Sequence, residues 1–267
     1  MICFPNAKIN LGLHIVNKRT DGYHNIETIF YPIPLKDALE FVPAPDFSFK
    51  QIGIPIHGDP KDNFVIKALN ALKEKYEIPP IEIYLKKTIP FGAGLGGGSS
   101  DAAFMLKLLN QFADLHLPDN ILEEIASTIG ADCSFFIQNK PVMASGIGNI
   151  FEQINLSLKG YIIYIIKPNV FVSTKEAYSL VKPSPPSLSL REIVKMPVEE
   201  WKNTMVNDFE SSVFRQYPVI SEIKDKLYMH GATYASMSGS GSSVYGLFKE
   251  DIKPDFEDCF IWKGTLE

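Results

Sequence analysis

The chain has 267 residues, of which 45% are hydrophobic and 21% charged, so it can bury a sizeable core and is predicted to be ordered. Its formal net charge of −5, with no visible basic patch, argues against nucleic acid as a partner, so a site for an anion must be built locally. Three widely spaced cysteines, no signal-like segment and no apolar run of membrane length predict a cytoplasmic protein with no membrane association.

The first predicted element is a strand over residues 8–16, where polar and apolar residues alternate. One face carries Ile9, Leu11, Leu13 and Ile15, and the other carries Lys8, Asn10, Gly12 and His14. The polar face is either an ordinary solvated strand face or part of a site. Asp21-Gly22 then predicts a hairpin turn, which leads into a second strand over residues 25–34.

The central region is predicted to contain a helix capped by Asp62, a strand over residues 81–85, a glycine-rich run and a further helix. Apolar residues at helical spacing from Ala102 to Phe112 place the glycines between a strand and a helix N-terminus. Another helix is predicted to start at Asp119 and to end at Gly130.

The second half is predicted to contain strands and helices without a regular βα alternation, which favours an α+β fold. The predicted strands cover residues 160–167, 233–237 and 243–248, and the helices cover 191–196, 198–205, 208–216 and 218–230. We expect two domains, residues 1–155 and 156–267.

The glycine run from Pro90 to Ser100 predicts a phosphate-binding loop. Glycine allows a ligand to approach the backbone closely, and the following helix N-terminus favours an anion. No lysine follows the glycines, so the run is not a Walker A loop. It is also a poor match to a Rossmann fingerprint, because no βαβ unit supports it. The remaining alternative is a flexible loop without a ligand.

Three further segments are candidates for a site. Asp132 lies between a predicted helix end and an apolar pair, where it is either a cap-like hydrogen-bonding group or a base in a partly dry site. Tyr23 and His24 follow the predicted turn and could contact a substrate, although a single histidine is more often structural. The glycine-serine segment 239–243 is either a simple hairpin or a second close-approach loop that packs against the phosphate chain.

Taken together, these segments resemble the GHMP kinase superfamily. The resemblance lies in Pro5-Asn6-Ala7-Lys8-Ile9-Asn10, in the run from Pro90 to Ser100, and in Ser238-Gly239-Ser240-Gly241, in that order along the chain. It implies an N-terminal mixed-sheet ATP domain followed by a C-terminal ferredoxin-like α/β sandwich.

Within that superfamily the segment Arg19-Thr20-Asp21-Gly22-Tyr23-His24 is most similar to the kinases that phosphorylate the 2-hydroxyl of a cytidylyl methylerythritol. The resemblance implies ATP with Mg²⁺, a small substrate carrying a cytidine diphosphate group, and a monomer or weak homodimer. The sequence identifies no metal ligand set. Alternatives are a kinase acting on homoserine, mevalonate or a sugar, and a non-catalytic ligand sensor.

The resemblance also implies roles for individual residues. Lys8 and Asp132 are the expected catalytic pair. The expected ATP contacts are Asn63, Pro90, Phe91, Gly92, Ala93, Gly94, Leu95, Gly96, Gly97, Gly98, Ser99 and Ser100. The expected substrate contacts are Asn10, Tyr23, His24, Phe30, Thr174 and Tyr178.

Overall fold

The computed structural model describes residues 1–56, 58–179 and 181–267. The chain forms two compact units, and each unit is assembled from three segments. The first unit contains Met1–Ala7, Leu35–Phe91 and Gly96–Lys140, and the second contains Lys8–Pro34, Gly92–Leu95 and Pro141–Glu267. The domain boundary after residue 155 stays a prediction.

Strands and helices occur in both units. In chain order the strands are β1 (Ile2–Cys3), β2 (Asn6–Lys18), β3 (His24–Lys36), β4 (Ala38–Pro43), β5 (Ser48–Gly53), β6 (Ile81–Lys87), β7 (Val142–Ser145), β8 (Ile150–Gln153), β9 (Ile162–Pro168), β10 (Tyr234–Met237), β11 (Val244–Phe248) and β12 (Cys259–Thr265). The α-helices are α1 (Phe64–Lys73), α2 (Gly97–Phe112), α3 (Asp119–Ile129), α4 (Phe135–Gln138), α5 (Thr174–Ser179), α6 (Leu190–Ile193), α7 (Glu210–Gln216) and α8 (Pro218–Met229). Short 3-10 helices cover Pro60–Asp62 and Val198–Asn203.

The first unit contains a four-stranded sheet in the order β1-β4-β6-β5, in which β5 runs parallel to β6 and the other pairs are antiparallel. Alternate residues of β6, Ile81, Ile83 and Leu85, are buried, as the period of a half-buried strand requires. Helices α1, α2 and α3 contact one another. The end of β6 and the start of α2 belong to the same compact unit.

The second unit contains two four-stranded sheets, in the orders β2-β3-β7-β8 and β10-β11-β9-β12. A core of buried residues packs α7 and α8 with the second of these sheets; its members include Tyr164, Ile166, Val213, Ile220, Ile223, Leu227, Ala235, Val244 and Phe248. Leu13 and Ile15 of β2 join the same core.

Three details correct the sequence-based expectations. The N-cap of α1 is Asn63, whose side-chain oxygen accepts the Val65 N–H at 2.9 Å, and Asp62 lies in the preceding 3-10 helix. The segment expected as a helix over residues 198–205 is the 3-10 helix Val198–Asn203. The polar face of β2 is buried, so a solvated strand face is excluded.

Candidate active site

Lys8 is a buried cation on β2, and only 3% of its surface is exposed. Its ammonium nitrogen donates to Asn10 Oδ1 at 2.6 Å and to the carbonyl oxygen of Gly94 at 3.1 Å. The same nitrogen lies 4.8 Å from the centre of the Phe30 ring, a geometry typical of a cation–π contact. A buried charge is costly unless it is paired or hydrogen-bonded, and these contacts hold the Lys8 ammonium at one place.

Asn10 orients Lys8 through a chain of hydrogen bonds. Its Nδ2 donates to Thr28 Oγ1 at 2.9 Å, which leaves Oδ1 to accept from Lys8. Its backbone N–H donates to Ser238 Oγ at 3.2 Å, and its carbonyl oxygen accepts from the Tyr245 hydroxyl at 2.9 Å. Asn10 is thus fixed through both its side chain and its backbone.

The first part of the glycine run, Gly92–Leu95, packs against the loop over residues 238–243. The Gly94 carbonyl oxygen accepts from Ser238 Oγ at 2.9 Å, and the Ser243 N–H donates to the Ala93 carbonyl oxygen at 3.3 Å. Gly94 has a φ of +74°, and a Cβ there would clash with the Ser238 carbonyl oxygen. The 238–243 segment is therefore a close-approach loop that packs on the glycine run.

The second part of the run forms the N-terminus of α2. Gly96, with a φ of +70°, occupies the N-cap, and among the described residues no side chain caps this helix. The Oγ of Ser100 is buried and has no hydrogen-bond partner within the described part of the chain. Unsatisfied N–H groups at a helix N-terminus bind anions, so this turn can hold a phosphate.

Asp132 lies in the turn that joins α3 to α4 and is partly exposed. The turn is fixed by the Cys133 N–H, which donates to the Gly130 carbonyl oxygen at 3.1 Å, and by Ser134 Oγ, which donates to the Glu123 carbonyl oxygen at 2.8 Å. Burial raises the pKa of the Cys133 thiol to about 12, while a hydrogen bond with Ser99 opposes the rise. Cys133 is therefore a neutral thiol that connects the Asp132 turn to the first turn of α2.

The residues expected to contact the substrate fall into two groups. The His24 ring stacks on Tyr178, with ring centres 4.8 Å apart and planes at 19°. The Tyr178 and Phe209 rings are nearly perpendicular, with centres 4.7 Å apart. Burial and the positive charge of Lys18 lower the pKa of His24, which favours a neutral imidazole that can hydrogen-bond. Phe30 instead lies beneath Lys8 and against Phe151.

The other predicted residues occupy simpler positions. Tyr23 is 63% exposed and sits in the hairpin turn, where its N–H donates to Asp21. Thr174 Oγ1 lies 3.3 Å from Ser240 Oγ. Asn63 caps α1, Pro90 is buried and Phe91 is exposed at the start of the glycine run.

Sequence reasoning missed several residues that support this arrangement. Asn207 Nδ2 donates to the carbonyl oxygens of Met237 and Gly239, both at 2.8 Å, and so holds the close-approach loop. Thr28 Oγ1 donates to the Gly12 carbonyl oxygen and accepts from Asn10. Their partners are far away in the chain, so no local pattern indicates them.

Comparison with known proteins first defines the class. The family described as "GHMP kinases N terminal domain" matches residues 63–140, and "GHMP kinases C terminal" matches residues 189–256. A mevalonate kinase from Methanococcus jannaschii, only 17% identical, superposes with a TM-score of 0.72 and covers 100% of this chain and 98% of its own, which shows a shared fold. The chain has the GHMP kinase fold, which confirms the predicted fold class.

More similar proteins define the particular family. A protein from Parabacteroides distasonis named "4-diphosphocytidyl-2-C-methyl-D-erythritol kinase" is 63% identical over 100% of both chains, and one of that name from Bacteroides fragilis is 59% identical over 100% of both. A crystal structure titled "4-(cytidine 5'-diphospho)-2C-methyl-D-erythritol kinase" is 29% identical, has a TM-score of 0.83, and covers 100% of this chain and 99% of its own. The chain belongs to the family of 4-diphosphocytidyl-2-C-methyl-D-erythritol kinases. The resemblance found in the sequence is thereby confirmed.

Proposed function

We propose that the protein transfers the γ-phosphoryl group of ATP to the 2-hydroxyl of 4-diphosphocytidyl-2-C-methyl-D-erythritol, in the non-mevalonate route to isoprenoid precursors. The full-length 63% identity with a kinase of that name supports the substrate. Phosphoryl transfer is supported mainly by the glycine run, which joins a strand to a helix. Among the described residues no side chain caps the N-terminus of that helix, and the buried Lys8 donates to the Gly94 carbonyl oxygen. Phosphoryl transfer depends mainly on positioning and charge stabilisation.

The glycine run, residues 90–100, holds the ATP phosphates in this proposal, and Asn63 lies near the adenine. Backbone N–H groups at the start of α2 bind the phosphate oxygens, while Ser99 and Ser100 add hydroxyl donors. Asn63 is the N-cap of α1, and α1 contacts α2, which supports a place for Asn63 near the nucleotide.

In the proposed transfer step Asp132 accepts the proton of the 2-hydroxyl as that oxygen attacks the γ-phosphorus. The bond between the γ-phosphorus and the β–γ bridging oxygen breaks, and ADP leaves. Lys8 offsets the negative charge that develops on the transferring group, and Asn10 keeps its ammonium in place. His24 reads the cytosine edge and Tyr178 stacks on the cytosine ring, with the His24 ring displaced from the Tyr178 face that it covers in this structure. Tyr23, Phe30 and Thr174 complete the proposed substrate contacts.

Mg²⁺ is proposed to arrive with the nucleotide. The described residues contain no group of three His, Cys, Asp or Glu side chains that could hold a metal ion together. In this proposal the ligands of Mg²⁺ are mainly phosphate oxygens and water, which this ion commonly keeps. The ion would neutralise charge on the phosphate oxygens.

The setting of this reaction is also a proposal. We place the protein in the cytoplasm, as a monomer or weak homodimer without a nucleic-acid partner. Within the described residues, the structure has no helix that is both long and apolar enough to cross a membrane.

The test is a coupled ADP-release assay with ATP, Mg²⁺ and a panel of acceptors. We expect turnover with the cytidylyl substrate and none with methylerythritol phosphate lacking cytidine, homoserine, mevalonate or galactose. ADP release with one of the other acceptors would favour a different GHMP kinase, and no release with any acceptor would favour a ligand sensor.

A further inference from the structure

The first unit contains a buried cluster of titratable side chains that the proposed chemistry does not use. Lys87 ends β6, and its ammonium nitrogen contacts Asp37 Oδ2 and donates to Asp101 Oδ2 at 2.7 Å. All three side chains are at least 98% buried. Buried ion pairs contribute little net stability once desolvation is counted, so stability alone does not account for this cluster.

Asp37 fixes the chain where it enters the glycine run. Its Oδ1 accepts the N–H groups of Thr88 at 2.6 Å and of Ile89 at 2.9 Å. These two residues immediately precede Pro90. The entry stem of the loop is therefore bound to Asp37, which is itself in contact with Lys87.

Asp101 fixes the chain where it leaves the glycine run. It is the fifth residue of α2, so its contact with Lys87 ties the start of that helix to the end of β6. Gly97 allows the start of α2 to lie close to the end of β6, because a Cβ at this position would lie 2.8 Å from the Ile89 side chain and 3.3 Å from the Lys87 ammonium. Lys87 thus joins the entry stem to the exit stem.

The spacing of the stems matters because the loop itself is rich in glycine. Gly92, Gly94 and Gly96 all have positive φ angles, and glycine has more backbone freedom to lose than any other residue. A loop that is ordered before its ligand arrives avoids that entropic cost on binding. Fixed stems restrict the shapes available to the loop.

We propose that Lys87 is a positioning residue which, by bridging Asp37 and Asp101, sets the stem spacing of the glycine run and so preorganises it for the nucleotide phosphates. This inference rests on the proposed function only in taking a nucleotide as the ligand of the loop.

The test compares two substitutions of Asp101 that differ in one property. Asp101→Asn keeps an oxygen that accepts from Lys87, whereas Asp101→Leu has a similar shape and no acceptor. By isothermal titration calorimetry we expect Asp101→Asn to bind ATP within about twofold of the wild type, and Asp101→Leu to bind about tenfold more weakly. The KM for the cytidylyl substrate should change less than the ATP affinity in both.

Leu109→Ala is the matched control, because Leu109 is a buried apolar residue on the same helix and its loss leaves a cavity. It should lower the melting temperature and leave ATP affinity unchanged. The proposal is overturned if Asp101→Leu binds ATP like the wild type, if Asp101→Asn is equally weak, or if Leu109→Ala weakens ATP binding to the same extent.

Should Asp101→Leu fail to fold, the double variant Lys87→Met/Asp101→Asn severs the same bridge and leaves a single buried carboxylate. It should show the same loss of ATP affinity, and wild-type affinity would overturn the proposal. Because ATP binding is measured without an acceptor, a wild type that binds ATP but does not turn over would contradict the proposed function alone.

Discussion

At the scale of single residues, Asp132 is a partly exposed carboxylate in the turn between α3 and α4. We predict that Asp132→Asn lowers kcat by about 10²–10⁴-fold, the usual contribution of a general base, and leaves the Kd of the cytidylyl substrate nearly unchanged. Steady-state kinetics with calorimetric binding measure both quantities. Asp119→Asn, an exposed carboxylate at the start of α3, serves as the control, and near-wild-type turnover of Asp132→Asn would exclude the base.

His24 belongs to the same scale, because its ring already occupies the face of Tyr178 in this structure. We predict that His24→Ala raises the KM of the cytidylyl substrate about tenfold and leaves the KM of ATP unchanged, since losing a hydrogen bond of about 0.5–1.5 kcal/mol lowers affinity by up to about tenfold. His116→Ala removes an exposed histidine elsewhere and should have no effect. An unchanged KM in His24→Ala would remove this residue from the substrate site.

At the scale of elements, the glycine run and the 238–243 loop depend on a close approach at Gly94. Gly94→Ala should weaken ATP binding strongly, because a Cβ at that position meets the Ser238 backbone. Gly160→Ala is the matched control, with a φ of +90° and open space around its Cβ. Each substitution costs about 1–2 kcal/mol for the left-handed backbone, but only Gly94→Ala should lose ATP affinity. Equal ATP affinities of the two variants would contradict this reading of the loop.

Elements with a regular pattern were predictable from the sequence, and elements that depend on distant partners were not. Alternation identified β2 and β6, and helical spacing identified α2. Strand β12 was missed because it lies at the edge of its sheet, where its side chains are only half-buried or exposed, and its sequence does not alternate between apolar and polar residues.

The same limit applies to the site. The glycine run and the Lys8–Asn10 pair were visible because their residues are close together in the sequence. The Lys87 cluster was not, since its carboxylates lie 50 and 14 residues away from the lysine. Burial of the polar face of β2 was equally hidden, because alternation does not reveal what covers the polar side.

At the scale of the whole molecule, the Lys87 cluster predicts how stability depends on pH. Burial raises the pKa of the Asp101 carboxyl from 3.8 to about 8; Lys87 opposes the rise and Asp37 adds to it. Cys3 and Lys107 also lie within electrostatic range of this region. The folded protein therefore binds a proton that the unfolded chain releases, and the free energy of unfolding falls as pH rises from about 4 to about 8.

Asp101→Asn should remove this dependence. The difference in the free energy of unfolding between Asp101→Asn and the wild type is expected to grow in favour of the variant between pH 5 and pH 8, and to level off above, with a limiting slope of about 1.4 kcal/mol per pH unit. Thermal unfolding across that range measures it. A difference that is independent of pH would show that Asp101 is ionised throughout.

The hydrogen bonds of Asn10 also determine when the surroundings of Lys8 can form during synthesis of the chain. Its N–H meets Ser238 and its carbonyl oxygen meets Tyr245, partners that lie 228 and 235 residues further along the chain. At a synthesis rate of roughly 5–20 residues per second, the ribosome needs roughly 10–50 s after making Asn10 to produce them. The surroundings of Lys8 are therefore completed only after residues 238–245 have been made, and a nascent chain stalled before residue 238 cannot assemble them.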